Sequence, residues 1–129
     1  MRRQAKAWLD SARDDLAVVE EIIERDDLTH MVAFHCQQAI EKSLKAVICE
    51  KKGAAPRIHD LITLHGQAEK YITIDMDSDI LNQLNELYID ARYPADLGLL
   101  PGGKPPKELS PKMYGVAKKI CEIVEEKLA

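Results

Sequence analysis

Apolar residues return every three or four positions along five stretches of this chain, the spacing of helices with one buried face. In the first, from about Gln4 to Arg25, Trp8, Ala12, Asp15, Val19 and Ile22 follow this spacing, and Leu9, Leu16 and Ile23 widen the stripe. Asp15 is out of place there. Its carboxylate must pair with a buried cation or sit at the stripe's edge, because an isolated buried carboxylate costs several kcal/mol or stays protonated. Arg25-Asp26-Asp27-Leu28 interrupts the pattern, and Asp27 or Thr29 is suited to cap a second helix running from about Thr29 to Lys52 and ending at Gly53. After the extended Ala54-Ala55-Pro56-Arg57-Ile58 connector, a short third helix begins near His59-Asp60, with Leu61, Leu64 and Ala68 inward. Asp75, Asp77 and Ser78 form a capping cluster for a fourth, which carries Ile80, Leu81, Leu84, Leu87, Tyr88 and Ala91 and stops at Pro94.

From Pro94 to Ser110 the chain holds Pro101, Pro105 and Pro106 with Gly98, Gly102 and Gly103, which no regular element tolerates. Loops of this length tend to be functional or mobile. Leu97, Leu99 and Leu100 make this one apolar enough to pack on its own domain or on a partner. Ser110-Pro111 reads as a cap followed by proline at the first helical position, opening a fifth helix lined by Met113, Tyr114, Ala117, Ile120, Cys121, Val124 and Leu128. The pattern contains no alternating strand. It predicts an all-α, up-down helical bundle of four to five helices, with one long Pro/Gly-rich loop before the last helix, as a single domain over residues 1–129.

The second helix carries the candidate chemistry. At 100° per residue, His35, Gln38, Lys42 and Lys45 fall within roughly an 80° sector, apart from the apolar sector of Val32, Cys36, Ala39, Ile40, Ser43 and Val47. An imidazole, an amide and two ammonium groups in register can grip an anion or a nucleotide edge. The alternatives are a ring of His35 bonded to a carboxylate such as Asp15, a helix–helix hydrogen bond from Gln38, and a solvated lysine face with Glu41–Lys45 as an ordinary surface pair. Arg57 and His59, beside the Asp60 cap, offer a further phosphate contact. Arg92 is one turn from Tyr88, so its guanidinium can stack on that ring and still fork onto a phosphate, or pair with Asp15 or Asp90.

Charge narrows the field. With 129 residues and a net charge of −4, the chain lacks the broad basic field of indiscriminate nucleic-acid binders, although Lys42, Lys45, Lys51, Lys52 and Arg57 make a local cationic run. No apolar run reaches the ~20 residues that span a bilayer, and no apolar signal core follows Met1-Arg2-Arg3-Gln4, so a cytoplasmic protein is expected. Three cysteines, with Cys36 and Cys49 on one helix, fit reduced core thiols. No spacing suggests a metal site, Gly102-Gly103-Lys104 is too short for a phosphate loop, and no cofactor is implied.

Three segments together, Phe34 to Ala46 with its His-x-x-Gln-x-x-Glu-Lys-x-x-Lys-Ala order, Pro56-Arg57-Ile58-His59-Asp60-Leu61, and Tyr88-Ile89-Asp90-Ala91-Arg92-Tyr93-Pro94, resemble the HEPN family over nearly the whole chain. The resemblance implies a bundle of four or five helices that commonly dimerises. It also implies nucleotide or RNA binding beside a minimal nucleotidyltransferase partner, in toxin–antitoxin-like modules. Many members are metal-independent RNases whose motif is an arginine, four to six residues, then a histidine, near the end of a late helix. Arg92 stands in that place, but Tyr93 to Gly98 contain no histidine, so the nuclease motif is incomplete. Arg25 and His30 satisfy the bare spacing, but at the end of the first helix. The leading expectation is therefore a nucleotide- or RNA-phosphate-binding homodimer, with His35, Gln38, Lys42, Lys45, Arg57, His59, Tyr88 and Arg92 around a cleft between the second and fourth helices. A divergent RNase using Arg92 with His35 or His59, and a pure protein-interaction module, are the alternatives.

Overall fold

The computed structural model describes the backbone of residues 1–92 and 104–129, and the side chains of residues 1–87 and 104–129. The described residues form five helices: α1 (Arg3–Ile22), α2 (Thr29–Lys52), α3 (Leu61–Ala68), α4 (Ser78–Arg92) and α5 (Leu109–Leu128). The all-α bundle anticipated from periodicity is the fold. The apolar Leu97–Leu100 segment, with Gly102 and Gly103, lies outside the described residues.

Helix α2 is the central rod, in contact with all four of the others. Most of its circumference is therefore buried, including Val32, Cys36, Ile40, Leu44, Val47 and Ile48. Two ties set α1 antiparallel to α2: the Arg2 backbone N–H donates to Glu50 at 2.6 Å, and Asp15 meets Lys42 at 2.7 Å. Likewise α5 runs antiparallel to α1, with Tyr114 donating to Glu20 at 2.6 Å and Arg13 paired to Glu125. Leu16, Leu44, Leu64, Leu81, Leu84, Met113 and Ile120 fill the shared core. Burying each such side chain contributes about 1.5–3 kcal/mol.

The helix ends follow sequence chemistry in part. Gly53 stops α2 at φ 93°, a left-handed position where any Cβ is strained, and its N–H closes on the Cys49 carbonyl. Asp77 accepts from the N–H groups of Asp79 and Ile80 at the start of α4. Two expected caps fail. Helix α2 begins after Leu28 with no side-chain cap, because Asp27 turns back to bind Arg25 at 2.8–2.9 Å and Thr29 lies buried, its hydroxyl without a partner among the described residues. At the other site α5 begins at Leu109, so Ser110 is already inside the helix, its hydroxyl buried and without a hydrogen bond among the described residues. Helix α1 also ends at Ile22, ahead of the Arg25 expected from periodicity.

Asp60 caps α3 as expected, accepting from Ile62 N–H at 3.2 Å and from the Thr63 hydroxyl at 2.6 Å. Asn85 of α4 joins the same cap, donating to Asp60 at 2.6 Å and accepting from Leu61 N–H at 2.9 Å. The Thr63 hydrogen bond, followed by those from Asn85 and the backbone, holds the Asp60 carboxyl below the usual aspartate range. A depressed native pKa stabilises the fold above the unfolded-state value, and that contribution disappears as pH falls through the native value. Asp60→Ala should therefore cost about 1 kcal/mol near neutral pH and progressively less in acid, read from urea midpoints at pH 7 and pH 3.

Candidate functional site: two buried carboxylate hubs and their exposed edge

The polar stripe of α2 faces the inside of the bundle and is organised by two carboxylates. Asp15 forms the first hub. Its two oxygens take Nδ1 of His35 at 2.8 Å and Nζ of Lys42 at 2.7 Å. An ionised carboxylate only accepts, so the His35 proton on this side belongs to Nδ1. The misplaced acid of the α1 stripe is thus a buried acid with a cation and an imidazole, the first of the two arrangements its position allowed.

Glu41 forms the second hub. Oε2 accepts from Lys45 Nζ at 2.9 Å and from His59 Nδ1 at 3.0 Å, while Oε1 accepts from Gln37 Nε2 at 3.0 Å. Gln38 donates to the Gln37 side-chain oxygen at 2.7 Å, which fixes the orientation of that amide. The Glu41–Lys45 pair is not the surface pair expected from its spacing, because both side chains are only 5 % exposed. Nor is Lys45 part of a solvated face: its ammonium sits 5.3 Å from the centre of the Trp8 ring. Gln37 escaped the sequence reading, and Glu41 entered it only as the partner in a surface pair. Their i, i+4 relation was visible, but nothing local distinguishes a covered face from a wet one.

These pairings divide the eight expected site residues. His35, Gln38, Lys42 and Lys45 are joined within the bundle, and a phosphate could take Lys45 only by drawing its ammonium away from the buried Glu41 carboxylate. His59 bridges inside and outside, bonded to Glu41 yet 51 % exposed. Arg57, two residues earlier, is exposed, with no ion pair among the described residues. Tyr88 and Arg92 lie on the α4 backbone one and two turns beyond Asn85, the residue that clasps Asp60; their side chains lie outside the described residues. The Arg25 and His30 pair has no site character: Arg25 is held by Asp27, and burial pulls the His30 imidazole below its ordinary value. Burial also pushes the Cys36 thiol up to about 12, as expected for a core cysteine rather than a nucleophile. Among the described residues, no group of three or more His, Cys, Asp or Glu is placed to hold a metal ion.

A model of the HEPN domain matches residues 5–127. The chain belongs to the HEPN domain family. Its helical bundle is also similar to the crystal structure of TT1696 from Thermus thermophilus, at 25 % identity and a TM-score of 0.72, over 98 % of this chain and 99 % of that one. No protein of curated function matches the chain. Among the described residues of this HEPN domain, no helix is long and apolar enough to cross a membrane.

Proposed function

We propose that this HEPN protein is a homodimer that recognises a nucleotide or RNA phosphate and acts with a minimal nucleotidyltransferase in a toxin–antitoxin-like module. The contact is made where the buried network reaches the surface, at His59 and Arg57, with Arg92 and Tyr88 supplied from the neighbouring end of α4. The observation that carries this reading is the Glu41–His59 link. A buried carboxylate, itself held by Lys45 and Gln37, fixes an exposed imidazole two residues from an exposed guanidinium. Such preorganisation reduces the ordering cost of gripping an anion. Lys42 and Lys45 then shape the site from behind by neutralising the two hubs, and His35 and Gln38 orient their neighbours.

Isothermal titration with ATP, GTP and a short RNA tests it. Binding should weaken at least tenfold in both Arg57→Ala and Arg92→Ala, with the helical circular dichroism spectrum unchanged. Full affinity in both variants would overturn the reading.

A further inference from the structure

A groove of about 530 Å³ lies between α1 and the residues that follow α2, lined by Gln4, Ala7, Trp8, Ser11, Ala54 and Ala55. We infer that this groove seats a base of single-stranded RNA on the Trp8 indole, with the flanking phosphates on Arg3, Lys51 and Lys52. The inference rests on the RNA-phosphate reading above and extends it to a second surface.

Four observations converge. Trp8 is half-buried, and the groove beside it is lined mostly by small side chains, Ala7, Ser11, Ala54 and Ala55, which leave room for a planar ring. From the interior, the Lys45 ammonium lies over the same indole and holds it through Glu41, so the platform is fixed before any ligand arrives. Arg3, Lys51 and Lys52 are exposed, and none has an ion-pair partner among the described residues, while nearby Glu50 is already taken by Arg2 through its carboxylate and its carbonyl. Lastly, Arg3 stands in the first turn of α1, which carries no acidic residue. Lys51 and Lys52 complement the dipole of α2, but a cation at a helix N-terminus opposes the dipole and gains from an external anion. An acidic protein thus presents a cationic end beside an aromatic slot. In the chain, Arg57 stands two residues after Ala55 of the groove and two before His59 of the first contact site.

Trp8 is the chain's one tryptophan, which makes its fluorescence a direct probe. Titration with an eight-nucleotide oligouridylate at low salt should quench the emission. The double variant Lys51→Glu/Lys52→Glu should weaken binding at least tenfold and flatten the salt dependence by roughly 0.7 per lost phosphate contact. Ala54→Glu, at an exposed position, should abolish quenching while leaving the thermal transition in place. Absent quenching, quenching indifferent to both variants, or equal quenching by a polyglutamate peptide would each overturn the groove assignment. If Arg92→Ala and Arg57→Ala abolish RNA binding while Ala54→Glu leaves it whole, the groove fails and the first site stands. The reverse pattern sinks the first site and keeps the groove.

Discussion

Glu41→Leu should destabilise the protein by about 3–5 kcal/mol, among the largest losses available to a single substitution here. The substitution leaves Lys45, 5 % exposed, as an uncompensated charge against Trp8, and removes the acceptor of both His59 Nδ1 and Gln37 Nε2. Small domains hold only about 5–15 kcal/mol in total, so much of the margin would vanish. The double variant Glu41→Leu/Lys45→Met removes both charges and should recover most of the loss, since apolar replacement of a buried pair is often neutral. Urea midpoints of the three proteins measure the coupling. A single-variant cost below about 1 kcal/mol would show that the hub is wet and weak. The rescued double variant then separates structure from function. If it folds stably yet loses RNA affinity, orientation of His59 by Glu41 matters to binding rather than to stability alone.

Asp15→Leu should cost about 3 kcal/mol, the lower end of the range for breaking a buried pair. Its oxygens serve both His35 and Lys42, but Lys42 is 21 % exposed and can swing partly into water. With roughly 4 °C of melting temperature per kcal/mol for a chain of this size, the transition should fall by roughly 10 °C. RNA affinity measured well below that transition should fall less than in Arg57→Ala or Arg92→Ala, because His35 and Lys42 support the site from behind and the direct contacts are proposed beside the Glu41 hub. A large loss of affinity with intact folding would move the ligand site towards Asp15, His35 and Lys42.

How far the site was legible in the chain depends on the kind of signal each residue leaves. Asp15 betrayed its pairing because a carboxylate inside an apolar stripe has few tolerable environments, and His35 on the facing helix was a natural partner. Gly53, Asp60 and Asp77 were legible because capping is local: the donors and acceptors lie within a few residues. Lys45 was misjudged as part of a solvated pair for the opposite reason. A Glu–Lys pair at i, i+4 looks the same on a wet face and a covered one. Thr29 and Ser110 failed as caps because their helices begin where tertiary packing sets the first turn, and both hydroxyls are drawn inside.

What the sequence determined by itself, then, is the number, type and order of helices, several of their ends, and the presence of a charged stripe on the second. Period and capping are properties of short stretches, and membership of the HEPN family follows from those stretches taken in order. Only the tertiary structure decided that the second helix is the central rod and that its stripe is divided between two carboxylates. It also decided that His59 and Trp8 are where this network meets the surface. Burial is set by which helices surround a face, and the free energy of a charge depends on that enclosure far more than on its neighbours in sequence.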